Sequence, residues 1–152
     1  MNLTDNVTLE AACVSETAKR QHIDNKPDPA QQLRMTRLAR LIIEPCFLRF
    51  GRMAWNSFFR CLLLNRAVKS KDNSQHVLGE AVDLDGDNVG VSNKELFLYI
   101  FNNLVFDQLI WEFGSEDSPA WVHVSYREGK NRKQALVSKT VNGKTEYSIY
   151  KA

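Results

Sequence analysis

The sequence predicts an α+β fold, in which N-terminal helices pack on a small antiparallel sheet. Three observations point there. Apolar residues recur near the helical period between Gln31 and Phe50 and again between Lys94 and Leu104. Short runs at 80–84, 108–113 and 121–126 have the alternating or β-rich character of strands. Asn142-Gly143, between two further strand-like runs, has the chemistry of a tight hairpin turn.

Residues 9–20 read as one short helix, followed by the turn-forming stretch Asp24-Asn-Lys-Pro-Asp-Pro29. From Gln31 to Phe50 the apolar positions Leu33, Leu38, Leu41, Ile42 and Leu48 predict an amphipathic helix, kinked or ended at Pro45 because proline has no N–H to donate. Gly51 closes it. Trp55 to Arg60 is short and aromatic and reads as a strand, and Leu62 to Val68 as one or two helical turns. Residues 80–84 form a strand ending in the Asp/Gly/Asn turn 85–90. Lys94 to Leu104 is a helix that Ser92 or Asn93 can cap. Residues 108–113 and 121–126 pair as an antiparallel hairpin across Gly114–Pro119, and the runs 136–140 and 145–150 form a second hairpin.

At 152 residues with 43% hydrophobic content, the chain fits one domain with a core that needs no stapling disulfide or metal. A bound metal would then serve chemistry. The net charge of +2 is unevenly spread: residues 31–70 carry eight Lys/Arg against one acid, 71–126 two against ten, and 127–152 seven against two. Such blocks fit either a polymeric anionic substrate or solvated surface. No basic run interleaved with aromatics supports a nucleic-acid partner. Cys13, Cys46 and Cys61 are odd in number and contain no CxxC pair, so reduced thiols are expected. The start, Met1-Asn-Leu-Thr-Asp, has neither the basic nor the apolar region of a signal peptide, and no run reaches membrane-spanning length.

The chemistry concentrates in Ser74-Gln-His76-Val-Leu-Gly79-Glu-Ala81-Val-Asp83 and in Trp121-Val-His123-Val-Ser125. Two imidazoles and a carboxylate suit zinc, and three protein ligands leave a position open for water. Gly79 permits a sharp turn between the first two candidates. Period two puts Trp121, His123 and Ser125 on one strand face and aims Val122 and Val124 at the core. Spacing alone leaves structural histidines and a chance His–Asp pair open. His22, in a polar segment, is ordinary surface. Asp83-Leu-Asp85-Gly-Asp87-Asn88 imitates a calcium loop, but Asn88 stands where glycine is needed and Lys94 where a bidentate glutamate belongs, so calcium is rejected.

These two motifs resemble the zinc D-alanyl-D-alanine carboxypeptidase family, in particular its compact phage and prophage branch, which has the hedgehog/DD-peptidase fold. Ser15-Glu-Thr17-Ala18, Ile23-Asp24-Asn25, Ser57-Phe-Phe-Arg60 with Asn65, and Phe106-Asp107-Gln108-Leu109-Ile110 are similar to further family segments in the same order. The resemblance implies one zinc peptidase domain over 1–152, with a helical part at 1–50, a metal-site core at 51–127 and a C-terminal hairpin at 128–152. It implies Zn2+ held by His76, Asp83 and His123, Arg60 on the substrate's carboxylate or developing oxyanion, and Ser74 hydrogen-bonding near metal or substrate. A surface ion pair is the plainer reading of Arg60.

Many relatives carry their general base three residues before the last histidine, where this chain has Ala120. Glu112, on the preceding strand, is the expected base, with Glu116 and Asp117 in reserve and a surface carboxylate as the plainer reading. Phe58, where the family pattern has glycine, is a second departure, and it bears on the shape of the substrate pocket.

The implied activity is hydrolysis of an amide bond in a peptidoglycan stem peptide, as carboxypeptidase or endopeptidase, by a monomer. Such a protein is made in the cytoplasm and reaches the wall through a holin-type pore or with phage particles. The alternatives are a non-catalytic zinc domain that binds wall peptide or a protein, and a phage structural or tail protein carrying the domain.

Overall fold

The computed structural model describes residues 1–152. Six strands form one sheet in the order β1-β2-β4-β3-β5-β6: β1 (Ala54–Ser57), β2 (Ala81–Asp85), β3 (Gln108–Glu112), β4 (Trp121–Ser125), β5 (Gln134–Val141) and β6 (Lys144–Ile149). The predicted hairpins β3–β4 and β5–β6 are present, but the expected all-antiparallel sheet is corrected to a mixed one. β5 runs parallel to β3, because the excursion through residues 126–133 carries the chain back to the start of that strand, where Gln108 pairs with Gln134.

The N-terminal helices depart from the expected boundaries for identifiable reasons. Residues 9–20 are two helices, α1 (Leu9–Ala12) and α2 (Glu16–Arg20), since extended Ser15 breaks the run and caps the second by accepting from the Ala18 N–H. The long helix begins at α3 (Pro29–Leu38), two residues earlier than predicted, because Asp28 and Gln31 form a capping box with Pro29 in the first turn. Pro45 does not end it. A π-helical turn at Ala39–Ile43 widens the spiral, and α4 (Glu44–Phe50) continues to Gly51, whose φ of 98° stops it.

The predicted strand at 55–60 is shorter, ending at Ser57, and α5 (Leu62–Ala67) follows. The four-residue helix α6 (Gln75–Leu78) went unread in the sequence, whereas α7 (Asn93–Asn103), with Ser92 and Glu95 as its capping box, lies where predicted.

The long helix and α7 cover one face of the sheet. Leu38, Ile42 and Ile43 from the long helix and Leu96, Phe97 and Ile100 from α7 pack with Val82, Leu84, Leu109, Trp111, Val122 and Val124 in one core cluster of 24 buried residues. Each such aliphatic side chain contributes about 1.5–3 kcal/mol through burial. The alternate strand positions therefore face the other way. Those positions carry the chemistry.

Candidate active site

Register brings distant residues together on the open face. Asp83 pairs directly with His123 across β2–β4, and His123 with Ile110 across β4–β3. Glu112, two residues along from Ile110, shares the face with His123 and stands diagonally from it. His76 arrives from α6, where Ser74 caps the helix by accepting from the His76 N–H at 3.4 Å and Gly79 reverses the chain at φ 73°. A Cβ on Gly79 would lie 2.8 Å from the Gln31 carbonyl oxygen, so the turn into β2 requires glycine.

Donor atoms of His76, Asp83 and His123 lie within 4.8 Å of one another. His76 Nε2 is 3.3 Å from Asp83 Oδ2, and His123 Nδ1 is 3.0 Å from Asp83 Oδ1. The other nitrogen of His76, Nδ1, is 2.7 Å from the Phe58 carbonyl oxygen. It can only donate there, which leaves the Nε2 lone pair aimed at the cluster. Burial holds the His76 pKa down, favouring the neutral imidazole that a metal needs. Burial by itself would raise Asp83, but the two imidazoles hold its carboxyl well below the usual range. A neutral imidazole, an ionised carboxylate and a second imidazole form a donor set that fits zinc.

The cluster lies in a cleft of about 940 Å³ that also contains Arg60, Ser74 and Glu112. Glu112 is buried, its pKa raised first by that burial, and it accepts a hydrogen bond from Ser138 Oγ at 2.5 Å. Arg60 makes no ion pair, so its reading as half of a surface salt bridge is corrected. Its Nε is buried without a partner, and burial pushes its pKa down while the Asp83 carboxylate counters the effect. Glu116 and Asp117 sit in the β3–β4 turn outside the cleft, with Glu116 reaching towards Lys139 at 3.9 Å. Phe58 does not shape the cleft; its ring is buried in the core and edge-on to Trp55. His22 is exposed, as expected.

A family model described as Peptidase M15 matches residues 5–125. The chain belongs to the peptidase M15 family. This is the zinc D-alanyl-D-alanine carboxypeptidase-type family, so at family level the protein is a zinc metallopeptidase directed at peptidoglycan. No curated protein gave a match. No helix of this M15 member is long and apolar enough to cross a membrane.

Some residues around the cluster escaped the sequence reading. Asp107, noted only as part of a resembling run, is fully buried and holds Arg132 through two bonds of 2.7 and 2.8 Å and Gln75 Nε2 at 2.7 Å. It thereby ties α6, which carries His76, to the start of β3 and to the segment before β5. An acid inside the apolar run Phe106-Asp107-Gln108-Leu109 was the available signal. The cations are also gathered, with Arg60, Lys69, Lys71, Arg127, Arg132 and Lys144 around the cleft against Glu80, Asp83 and Glu112. That arrangement favours an anionic ligand over the alternative of dispersed solvated charge.

Proposed function

We propose that this M15 peptidase hydrolyses an amide bond in peptidoglycan stem peptides, as a D-alanyl-D-alanine carboxypeptidase or endopeptidase of the phage and prophage type, on a hedgehog/DD-peptidase fold. The observation that carries the proposal is one cleft holding a compact His-Asp-His donor set, a buried carboxylate of raised pKa and a guanidinium without a partner.

His76, Asp83 and His123 are the zinc ligands in this reading. Zinc bound there supplies Lewis acidity to the scissile carbonyl and makes a water nucleophilic at neutral pH. Arg60 pairs with the substrate's carboxylate or the developing oxyanion, for which a planar guanidinium is suited. Ser74 lies at the cleft wall with its hydroxyl near the peptide. Glu112 is the general base. It takes a proton from the attacking water and delivers it to the nitrogen as the C–N bond breaks, so that the products are a carboxylate and an amine. Its desolvated, raised-pKa carboxyl is suited to this two-way transfer. The protein acts on the wall after release through a holin-type pore or with phage particles.

The test pairs metal analysis with digestion of purified peptidoglycan, using wild type, His76→Ala and Glu112→Gln. Wild type should hold about one zinc per chain and release D-alanine or shortened cross-links. His76→Ala should lose both properties, and Glu112→Gln should keep zinc without hydrolysis. Equal digestion by all three, or wild type without zinc, sinks the proposal. Zinc and peptide binding with no cleavage would leave the non-catalytic binding domain.

A further inference from the structure

The family match ends at residue 125, but the sheet continues through β5 and β6. β5 adds in parallel to β3 so that Ser138 stands opposite Glu112, and β6 returns antiparallel so that Tyr147 stands opposite Ser138. Glu112, Ser138 and Tyr147 therefore form one row across three strands, on the face that carries His123.

Ser138 is fully buried. Its Oγ accepts from the Phe113 N–H at 3.2 Å, and its own proton goes to Glu112 Oε2 at 2.5 Å. One carboxylate oxygen of Glu112 is thus pinned, and the other is left to exchange a proton. Tyr147 differs from the core aromatics. It is 55% exposed, it lines the cleft, and its hydroxyl has no hydrogen-bond partner. Partial burial, followed by the Glu112 and Asp83 carboxylates, pushes its pKa up, so the phenol keeps its proton as a donor.

We propose that the β5–β6 hairpin is a wall of the substrate cleft, with Ser138 as the positioning residue of Glu112 and Tyr147 as a residue that donates its phenol proton to an acceptor oxygen of the bound peptide. This rests on the peptidase reading of the cleft. Releasing a general base from a fixed rotamer lowers turnover without loosening substrate, because small misplacements of reacting groups cost up to about 100-fold. Losing one neutral hydrogen bond to a ligand costs about 3- to 10-fold in affinity.

The experiment uses the zinc-loaded full chain and a synthetic stem pentapeptide ending in D-alanyl-D-alanine. Ser138→Ala should lower kcat by about 10-fold or more with KM little changed, while zinc content stays that of wild type. Ser138→Thr keeps the hydroxyl and should retain most of kcat; equal loss in both variants marks a packing role and overturns the assignment. Peptide affinity is measured by calorimetry in a Glu112→Gln background, where hydrolysis does not interfere. There, adding Tyr147→Phe should weaken binding by about 3- to 10-fold. Unchanged affinity in Tyr147→Phe overturns the donor role of Tyr147, and a loss confined to Tyr147→Ala marks ring packing instead. If wild type binds the peptide but does not cut it, the peptidase reading fails while the Tyr147 affinities still decide the wall. A wild type that neither binds nor cuts overturns both.

Discussion

The Phe58 carbonyl oxygen, 2.7 Å from His76 Nδ1, fixes the tautomer of an imidazole that belongs to a different element. The side chain of the same residue is anchored in the core, so packing of the Phe58 ring and orientation of His76 are linked through one backbone unit. Phe58→Ala should cost about 3–5 kcal/mol of stability through the cavity it leaves. It should also weaken zinc binding about 10-fold, the scale of losing an outer-shell partner. Chemical denaturation and competition with a zinc chelator measure the two effects. Zinc affinity equal to wild type would show that packing of the Phe58 ring is not what holds the carbonyl against His76.

Gly79 sets the approach of His76 to Asp83 by reversing the chain between α6 and β2. Ala at this position meets a left-handed φ of 73° together with the Gln31 carbonyl oxygen at 2.8 Å and Met35 Cγ at 2.9 Å. The backbone conformation alone costs about 1–2 kcal/mol. Relief of the contacts must move α6 away from the long helix, so Gly79→Ala should lose stability and zinc affinity together. A urea unfolding midpoint equal to wild type would contradict this.

The sequence made local order legible and left tertiary order largely hidden. Ser92, Gly51 and Asn142-Gly143 announce their elements because caps and turns are decided by neighbouring residues. The donors His76, Asp83 and His123 were visible as two motifs, and strand alternation put His123 opposite the core-facing Val122 and Val124. Alternation carries no information on strand direction, so the parallel pairing of β3 with β5 could not be read. For the same reason Ser138 and Tyr147 looked like ordinary hairpin residues; only the sheet order places Ser138 beside Glu112 and Tyr147 next in the same row. The π-turn before Pro45 and the four-residue α6 are too short to produce a periodic signal.

Removing the metal should stop catalysis without unfolding the chain. None of His76, Asp83 and His123 belongs to the 24-residue hydrophobic cluster that supports the sheet. Chelation should therefore leave the far-ultraviolet circular dichroism and a cooperative melt intact. The midpoint should fall only by the binding linkage, about 4 kcal/mol for zinc at a thousand times its Kd. An apo protein without a cooperative transition would mean that the metal is structural.

Asp107 makes stability depend on acid pH. Burial alone would raise its carboxyl, but the side-chain and backbone hydrogen bonds of Arg132 and that of Gln75 hold it at about 2, against 3.8 for an ordinary aspartate. A folded value below the unfolded one stabilises the protein above the unfolded pKa, and that contribution is lost as pH falls from about 4 towards 2. Asp107→Asn should be less stable than wild type by about 2 kcal/mol at pH 7, with the gap closing across that interval. Urea melts at pH 7 and at successive acid values follow it. A gap that stays constant down to pH 2 would assign the loss to packing.

Arg60 should show opposite effects on stability and activity. Its Nε is buried with no partner, and no carboxylate forms an ion pair with it in the resting protein. A charge that is partly desolvated and only partly offset by the Asp83 carboxylate destabilises the fold and is tolerated where a ligand completes it. Arg60→Met keeps most of the aliphatic packing and removes the charge, so the melting temperature should rise, by about 1–2 kcal/mol of stability on the scale of replaced buried ions. The same variant loses a charge-assisted bond of about 2–3 kcal/mol to the substrate, so kcat/KM on a D-alanine-terminated peptide should fall about 30- to 100-fold. Arg60→Lys should not restore it, because an ammonium lacks the planar fork that matches a carboxylate. A less stable Arg60→Met would mean that the guanidinium is compensated before substrate arrives, and the role given to it in binding would lose its physical basis.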